Sequence, residues 1–590
     1  MSTAAAPNAS PDARDKRVLD LYERLMEIER RLIATRLHVF GKPPASPERH
    51  DLLRMIASFD RPERGVRALT QLIAEGLGLD SYPEPMKESD GFDQQLHDRD
   101  RVDSLVADSI KLFTQQPGEI GARNAIACLA ESGCAVSDGD VERVFEMLAD
   151  VCAQLDANRE LEALTRALRG NYIEPGPGAD IVQNPAVLPT GRNTHAINPY
   201  SVPSPAAVIR ARPLAAALLD RHRKESGKYP ETIAMVLWGI DNIKSEGEAV
   251  AQALWLLGVK PLRDSLNRAT DVEVIPLEQL GRPRIDVVMT VSGIFRDLFG
   301  TTMSLLDTAV RRVAALEEPD DQNYVRKHVR QQMKDASCSL DEAVVRVFSN
   351  APGNYGTNVN FMVSDSQWEE SGELGDLFVT RKCFAYGRDS RGRTFDGRES
   401  KKLLERALER VEVTYQSIDS IEVGIVDIDH YFEYLGGVTR AVEKRSGSRP
   451  AVYLSDTLSA EGKVRTLEET VQLETRTKTL NPKWFEGMLE HGFSGVAEIE
   501  HRITNTFGWS ATADAVEDWV YDEVAATFVL DYQMLDRLRA LNPHSARTMV
   551  GRLLEASGRG LWSADPATLE RLQQAYADLE DRLEGVVANG

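Results

Sequence analysis

The sequence has no long apolar run, no apolar leader and few cysteines, and each absence narrows its class. No window of about 18 uncharged apolar residues occurs, so no transmembrane helix is predicted. The opening residues lack the hydrophobic stretch of a signal peptide. The five cysteines form no CxxC pair, and an odd count suits a reducing compartment in which they act as small buried hydrophobes. We therefore expect a cytoplasmic protein.

Positive charge is scarce relative to negative charge. Lys and Arg total 70 against 92 for Asp and Glu, which leaves a formal net charge of −22. Nucleic acids and anionic bilayers are bound through basic surfaces, so neither is expected as the main partner. The acidic surplus is compatible with cationic ligands, metal ions or a partner protein that carries a basic patch.

The sequence also lacks the short motifs of several enzyme classes. No GxxxxGK[ST] is present, because the Gly-Lys pairs at 41–42, 227–228 and 462–463 lack the upstream glycine and the downstream hydroxyl residue. ATP binding through a P-loop is therefore not expected. A GxSxG elbow, an HExxH helix, a GxGxxG turn and a zinc-type cluster of cysteine and histidine are absent too.

Apolar periodicity and proline density divide the chain into five stretches. They are a disordered tail at 1–14, a mainly helical region at 15–172, a Pro/Gly-rich junction at 173–205, an α/β core at 206–480 and a helical region at 481–590. Within the core, short apolar runs alternate with helical stretches, which predicts a mixed α/β fold with a largely parallel sheet. The predicted strands are Ile233–Trp238, Val272–Pro276, Ile285–Val291, Asn358–Val363, Ile421–Val426 and Ala451–Leu454.

The segment PTGRNTHAINP, at 189–199, contains more polar groups than a linker needs. It includes Arg192, Asn193 and His195, which could bind a ligand. Its prolines and glycine also fit a turn-rich linker, and composition alone favours that alternative.

The segment VLWGIDNIKSEGE, at 236–248, runs from an apolar strand into Asp241, Lys244 and Glu246. Ligand sites of open α/β sheets lie at the carboxyl ends of strands, which makes this position informative. The alternative is a strand-to-helix loop in which Ser245 or Glu246 caps the following helix. Residue types alone leave both interpretations open.

Two further segments contain candidate ligand contacts. Arg282 and Arg284 come just before an apolar strand, and guanidinium groups bind carboxylates such as propionate arms through paired hydrogen bonds. An intramolecular ion pair is the commoner use of such arginines. Tyr355 lies in SNAPGNYGTNVNF, at 349–361, whose Gly and Asn residues permit close approach to a ligand but are also typical of turns.

The densest group of titratable residues is VDIDHYFEYLGG, at 426–437. Asp427, Asp429, His430 and Glu433 crowd the end of an apolar run there. Histidine and carboxylates together can pass a divalent ion and accept protons near neutral pH. A surface ion pair is the alternative.

Taken together, these segments resemble one family, the large porphyrin-binding H subunits of magnesium chelatase. The resemblance extends from Asp15 to the carboxyl terminus, with agreement in order and spacing. It rests on PTGRNTHAINP at 189–199, KYPETIAMVLWGIDNIKSEGE at 228–248, LGRPRIDVVMTVSGIFRDLF at 280–299, NYVRKH at 323–328, RTLEETVQLETRTKTLNPKWFEGML at 465–489 and ITNTFGWSATADAVEDWVYDE at 503–523.

The resemblance implies a division of chemistry between subunits. Protoporphyrin IX and Mg²⁺ are expected to meet on this chain, while separate AAA+ subunits, I and D, hydrolyse ATP. This division agrees with the missing P-loop. Mg²⁺ prefers hard oxygen ligands, and two pyrrole N–H protons must leave as it enters the ring, so a base is needed near the ring face.

Position within the family motifs implies roles for individual residues. Movement of metal and protons is expected of His430 with Asp427 and Asp429, and His195 and Glu246 are second choices. His430, Asp427 and Glu246 are the expected metal contacts. Substrate binding is expected of Arg192, Asn193, Asp241, Lys244, Arg282, Arg284 and Tyr355, with Arg282 and Arg284 on the propionates.

Two alternatives stay open at this stage. The large subunit of aerobic cobaltochelatase, which acts on a corrin precursor, shares the superfamily pattern, although Asp241 and Lys244 agree with the magnesium branch. Family members are also usually much longer, with a large region before the stretch matched here. The chain is therefore expected to assemble with a separate N-terminal half, or to be a truncated porphyrin-binding protein without catalysis.

Overall fold

The structure, a computed structural model, describes most of the chain and divides it into two compact units. The described residues are 25, 38–61, 64–79, 92–176, 178, 181–182, 184–194, 197–336, 338–389, 392–420, 423–457 and 463–586. One unit comprises Met1–His195 and Arg476–Gly487, and the other Ala196–Thr475 and Met488–Gly590. The tail expected at 1–14 and the candidate His195 lie outside the described residues.

The first unit is mainly helical, as the periodicity predicts. In its helix Asp138–Asp156, Val141, Phe145 and Leu148 are fully buried at helical spacing, and the ring of Phe145 lies 5.1 Å from that of Phe113. Its other helices are Ser46–Ala57, Leu69–Gly76, Phe92–Gln115, Glu119–Glu131 and Glu160–Leu168, with a 3-10 turn at Pro185–Val187. Strands β1 (Pro175–Gly176) and β2 (Asn193–Thr194) form a short parallel pair.

The second unit is built on an eight-stranded sheet. The second unit contains ten strands, of which eight form this sheet. The strands are β3 (Thr232–Leu237), β4 (Val259–Arg263), β5 (Ala269–Val274), β6 (Asp286–Val291), β7 (Val347–Ser349), β8 (Phe384–Arg388), β9 (Thr394–Glu399), β10 (Val413–Ile418), β11 (Ala451–Asp456) and β12 (Lys463–Thr466). The sheet order is β12-β11-β10-β3-β6-β7-β8-β9, and β4 and β5 form a separate hairpin. The five strands from β11 to β7 are parallel, which confirms the largely parallel sheet.

The two central strands show why this sheet forms. β3 and β6 have the sequences TIAMVL and DVVMTV, and every residue in both is buried. Parallel strands read as continuous apolar runs because helices cover both faces of the sheet. The register pairs Ile233 with Val287 on one face and Ala234 with Val288 on the other, so apolar side chains extend the core on both faces.

Helices cover the sheet. The chain also ends in helices, which confirms the prediction of a helical C-terminal region. No helix in the described ranges is long and apolar enough to cross a membrane. Besides a 3-10 turn at Pro199–Ser201, π-helical turns occupy Phe432–Gly436, Thr475–Thr479 and Ala526–Leu530. The helices are Pro205–Ser226, Gly239–Lys244, Glu248–Leu257, Leu277–Leu280, Gly293–Leu298, Gly300–Ala314, Tyr324–Ala336, Leu340–Ala343, Val359–Ser364, Gly372–Lys382, Lys401–Leu408, Asp429–Tyr431, Gly437–Ser446, Leu467–Glu474, Pro482–Glu490, Phe493–Ala513, Asp518–Ala525, Tyr532–Leu541, Pro543–Gly558 and Pro566–Leu583.

The strand predicted at Asn358–Val363 is wrong, because a helix occupies Val359–Ser364. The carboxylate of Glu433 accepts the N–H groups of Thr357 and Asn358, which satisfies donors at the start of the helix. This distant carboxylate outweighs the local alternation of apolar residues.

The strand predicted at Ile421–Val426 is also wrong in its described part. Ile421 and Glu422 lie outside the described residues, and the chain turns at 425–427 instead of extending. The strand predicted at Val272–Pro276 overlaps β5, but β5 pairs with β4 outside the main sheet.

Candidate active site

The carboxyl ends of the parallel strands meet at one edge of the sheet. β6 lies on one side of β3, whereas β10 lies on the other side. A crevice at such a change of direction is where open α/β sheets bind ligands. Asp241 follows β3 and Asp419 follows β10, so both residues border this point.

The turn between β10 and the next helix is held by three buried side chains. Glu474 accepts the N–H groups of Ile425 and Val426 at 3.0 and 3.2 Å. Asn505 Nδ2 donates to the carbonyl of Val426, and Trp509 Nε1 donates to that of Ile425, each at 2.9 Å. These partners lie far along the chain, so tertiary contacts fix the position of the residues that follow the turn.

His430 follows this turn and pairs with a buried carboxylate. Its Nδ1 lies 2.6 Å from Oε2 of Glu433, which is fully buried in the π-helical turn Phe432–Gly436. Glu433 also accepts from Thr357 Oγ1 at 2.9 Å and from the Asn358 N–H at 2.8 Å. The imidazole side chain is 54% exposed. Glu433 therefore orients the ring by its Nδ1 and leaves Nε2 for a ligand.

The electrostatics of this pair make the imidazole a stronger base. The hydrogen bond to Glu433 raises the pKa of His430 above its ordinary value. Burial disfavours the charged form of Glu433, but hydrogen bonds from His430 and Thr357 outweigh burial and lower the pKa of Glu433. Asp429 Oδ1 lies 3.7 Å from His430 Nδ1, and Asp429 Oδ2 accepts from Asn360 Nδ2 at 2.6 Å. The group combines a proton acceptor with a hard oxygen donor.

Asp427 has a different environment from its neighbours. Its Oδ2 accepts the Gly424 N–H at 2.5 Å, and its Oδ1 pairs with Arg502. Burial lowers the pKa of Arg502 to about 9. Because both carboxylate oxygens have partners, Asp427 helps to hold the turn. Its expected part in moving metal or protons stays a prediction.

A second carboxylate pair borders the same edge. Lys244 Nζ lies 3.3 Å from Oδ2 of Asp419, whose side chain is buried. Burial and the charge of Asp419 raise the pKa of Asp241 well above the usual carboxyl range. Burial and the charges of the same two carboxylates raise the pKa of Tyr431, the residue after His430. The two groups of titratable residues are therefore electrostatically linked.

Apolar side chains stand exposed on the segments that follow three strands at this edge, in the first turns of helices Gly239–Lys244 and Gly293–Leu298 and on the turn after β7. Ile240 after β3, Ile294 after β6 and Tyr355 after β7 are 51%, 40% and 55% exposed. A Cβ at Gly239 would lie 2.5 Å from Ile294, and one at Gly293 would run into the ring of Tyr355, so the three loops pack closely. Contiguous exposed apolar surface marks a binding site.

Lys382 joins two of the strand ends from within. It is fully buried, and its Nζ donates to the Val291 carbonyl and to Asn350 Oδ1, each at 2.9 Å. The same Nζ lies 3.8 Å from the centre of the Tyr434 ring. Burial lowers the pKa of Lys382 well below the ordinary value for lysine. The ends of β6 and β7 are thus held in a fixed relation.

Comparison with known proteins gives the family. The model of the CobN/magnesium chelatase family matches residues 1–569. The chain belongs to this family.

Relatives within the CobN/magnesium chelatase family match most of the chain. The rice (japonica) chloroplastic magnesium-chelatase subunit ChlH is 42% identical over 598 residues, covering 98% of this chain and 43% of that protein. The magnesium-chelatase H subunit of Cereibacter sphaeroides is 46% identical over 448 residues, 76% of this chain and 37% of that protein. The catalytic subunit of cobaltochelatase from Mycobacterium tuberculosis superimposes with a TM-score of 0.86 at 30% identity, over 98% of this chain and 47% of that one. The chain thus spans less than half the length of each.

In this family member, the two arginines predicted to bind propionates lie before β6, at the amino edge of the sheet. Arg282 donates to the carbonyls of Leu256 and Pro283 at 3.1 and 2.8 Å and stacks on Trp255 at 3.9 Å. Burial lowers the pKa of Arg282 to about 9. These contacts hold the structure around β6, and binding of a propionate by Arg282 stays a prediction.

Arg284 makes the intramolecular ion pair that the sequence left open. It is fully buried, and its Nε and Nη2 donate to Glu318 at 2.8 and 2.9 Å. Nη1 and Nη2 donate to the carbonyls of Gly258 and Ile275, each at 2.7 Å. Its donors are therefore used inside the fold.

The remaining predicted residues within the described ranges are Arg192, Asn193 and Glu246. Arg192 and Asn193 belong to the first unit, where they donate to the carbonyls of Leu188 and Ile173. Glu246 is exposed in a turn with φ of 56°. No group of three or more His, Cys, Asp and Glu side chains in the described ranges could hold a metal ion.

Several functional candidates were missed by sequence reasoning. Asp419 directly follows β10. Because ligand sites of open α/β sheets lie at the carboxyl ends of strands, Asp419 would have been a candidate if β10 had been predicted. The same rule could have singled out Arg296, which follows β6, over Arg282, which precedes it. Lys382 has no such signal, because only the packing of its helix against the sheet buries it.

Proposed function

We propose that this chain is the porphyrin-binding part of the H subunit of a magnesium chelatase, which inserts Mg²⁺ into protoporphyrin IX in (bacterio)chlorophyll synthesis. Relatives named as ChlH or H subunits of magnesium chelatase are 37% to 46% identical, against 30% for the aerobic cobaltochelatase subunit CobN of Sinorhizobium. Asp241 and Lys244, which border the candidate site, agree with the magnesium branch.

The observation that carries this proposal is the His430–Glu433 pair at the carboxyl edge of the sheet, where apolar side chains are exposed. The flat faces of a porphyrin lose contact with water when they lie on Ile240, Ile294 and Tyr355. Two pyrrole N–H protons leave as Mg²⁺ enters. Nε2 of the neutral His430 ring accepts the first proton while Glu433 stabilises the imidazolium, and the half-exposed ring releases that proton to water before it accepts the second.

The metal is a substrate in this proposal. Mg²⁺ gives up its water ligands reluctantly and prefers oxygen donors. Asp429, whose side chain is partly exposed beside His430, supplies such an oxygen on the way to the ring.

The proposal also assigns partners and a location. The sequence contains no P-loop, so ATP hydrolysis belongs to separate AAA+ subunits, I and D. Because the chain spans less than half of its relatives, we include a further region that completes the H subunit. We assign the complex to the cytoplasm, whereas the rice relatives are named chloroplastic.

Reconstituted metal insertion tests the proposal. The chain is combined with I and D subunits, ATP, Mg²⁺ and deuteroporphyrin IX, with and without the region of the relatives that it does not match. His430→Ala is expected to lower the insertion rate about 100-fold, within the range of general base catalysis. His501→Ala is the matched control, because His501 is also an exposed histidine beside a carboxylate, 3.8 Å from Glu500.

The outcomes separate this proposal from its alternatives. Wild-type turnover by His430→Ala would remove His430 as the base. Faster insertion of Co²⁺ than of Mg²⁺, or activity only on a corrin precursor, would favour a cobaltochelatase-type subunit. Tight porphyrin binding without turnover, with every partner present, would favour a non-catalytic porphyrin-binding protein.

A further inference from the structure

Arg296 lies in the helix that follows the carboxyl end of β6, next to the exposed side chain of Tyr355. Its side chain is 4% exposed, and its Nε donates to Asp297 Oδ1 at 2.7 Å. Its Nη1 donates to the carbonyls of Ala351 and Asn354, each at 2.8 Å. The side chain of Asp297 in the same helix and two carbonyls of the turn after β7 therefore hold the guanidinium in one orientation.

One end of this guanidinium has no partner. Nη2 of Arg296 is buried and makes no hydrogen bond within the described part of the chain. A buried donor without an acceptor costs free energy, so such a group in a native structure needs an explanation. A ligand that supplies an acceptor oxygen would satisfy it.

Tyr355 covers this arginine on the side that faces solvent. Its ring lies 5.2 Å from the guanidinium carbon, and its hydroxyl donates to Asp297, the same residue that pairs with Arg296 Nε. Tyr355 is itself 55% exposed and is flanked at short range by Gly353 and Gly356, both with positive φ. The covering side chain is therefore on a short turn that borders solvent.

We propose that Arg296 binds a carboxylate arm of the planar ligand and that Tyr355 moves aside to admit it. This inference rests on the proposed function and names the propionate of the porphyrin as the bound group. Guanidinium and carboxylate form charge-assisted hydrogen bonds, and Nη2 supplies the donor.

The charges of the edge favour Arg296 for this role. Asp419 and Asp429 place negative charge on the edge, and an anionic ligand needs a local cation there. Lys244 already pairs with Asp419, and Lys382 is fully buried on two internal acceptors. Arg296 thus has an unused donor, Nη2, next to the exposed apolar side chains of this edge.

Titration with two forms of one porphyrin tests the inference. Deuteroporphyrin IX has two carboxylates, and its dimethyl ester has none; both are titrated in the same detergent buffer, with binding followed by tryptophan quenching. The wild-type chain is expected to bind the diacid at least tenfold more tightly than the ester. Arg296→Gln should reduce that ratio to about one while ester affinity stays within twofold. Tyr355→Phe should raise diacid affinity, since it removes the hydroxyl that bonds to Asp297 and keeps the ring over Arg296.

Two further variants make the test specific. Arg552→Gln is the matched control, because Arg552 is also buried, bonds the Ser364 carbonyl and Glu555, and lies 5.5 Å from the Phe507 ring. Its acid-to-ester ratio should equal that of the wild type. Arg282→Gln tests the rival position at the amino edge: an unchanged ratio supports Arg296 as the propionate contact, and a lost ratio supports Arg282.

Each result has a distinct meaning. If the wild-type chain binds neither form, even with the region that completes the subunit, the proposed function fails and this inference fails with it. If it binds acid and ester equally, or if Arg296→Gln keeps the full ratio, only the inference is overturned. Loss of the ratio in Arg282→Gln alone would assign the propionate to Arg282. Two controls guard against misfolding of Arg296→Gln. Circular dichroism checks its fold, and Arg296→Lys should keep part of the ratio.

Discussion

Glu433 Oε2 lies 2.6 Å from His430 Nδ1, joining a fully buried carboxylate to a half-exposed imidazole. The carboxylate cannot move, because Thr357 and Asn358 also donate to it. The ring is therefore held by one nitrogen while the other is available to a ligand. This relation is the basis for the proposed chemistry of the carboxyl edge.

Replacing Glu433 by Gln should lower the pKa of His430. Glu433 raises that pKa through a hydrogen bond and its negative charge, so a neutral side chain of the same shape returns it toward about 6.5. NMR titration of the His430 ring measures the change. Asp429→Asn is the control and should produce a smaller decrease, because Asp429 lies 3.7 Å from Nδ1 and makes no hydrogen bond to it. An unchanged pKa in Glu433→Gln would contradict this assignment.

Replacing Arg502 by Met should destabilise the second unit. The variant leaves the partly buried carboxylate of Asp427 without its cationic partner, which costs about 3 kcal/mol of unfolding free energy. Urea unfolding followed by the fluorescence of the buried tryptophans measures this loss. Arg571→Met, which removes an exposed arginine bonded to the Leu530 carbonyl, should change stability by less than about 0.5 kcal/mol. Equal stability of the two variants would show that the Asp427 pair does not hold the turn.

Replacing Asp286 by Asn should remove an acid-sensitive contribution to stability. Asp286 pairs with Arg346 at 2.8 Å and with His328 at 2.9 Å. Burial alone would raise its pKa, but Arg346 and His328 outweigh burial and lower the pKa to about 2. The contribution is therefore complete above the unfolded pKa of about 3.9 and is lost as pH falls toward 2.

Unfolding of the Asp286 variant across pH checks this prediction. The loss of stability should be about 3 kcal/mol at pH 7 and should shrink as pH falls below about 4. A difference between wild type and variant that is the same at every pH would mean that the carboxylate charge is not what stabilises the fold.

Replacing Asp241 by Asn should stabilise the protein at higher pH. Burial and the charge of Asp419 raise the pKa of Asp241, so the folded protein holds a proton that the unfolded chain releases. That arrangement costs stability as pH rises above the ordinary carboxyl pKa of about 3.9. The gain from Asp241→Asn, measured as the shift in Tm, should therefore grow from pH 4 to pH 8. A gain that shrinks over this range would contradict the raised pKa.

The fold could be predicted wherever local pattern and tertiary environment agree. The apolar runs of β3, β6 and β11 stand out because both faces of these strands are buried. β10 was missed, because the strands were predicted from apolar runs, and three of the six residues in VTYQSI are polar although all six are buried. The helix Val359–Ser364 was predicted as a strand, since the Glu433 carboxylate that favours its start is not visible in local sequence.

The sequence by itself determined the family and the α/β class, and it singled out the cluster of His430 with Asp427, Asp429 and Glu433. The structure decided that Glu433 is the carboxylate bonded to His430. Tertiary structure alone decided which charges are used inside the fold and which are free for a ligand. Arg282 and Arg296 flank the same strand, yet only Arg296 lies at the carboxyl edge with an unused donor. The physical reason is that a charged group's role depends on the partners that packing brings to it, and those partners come from distant parts of the chain.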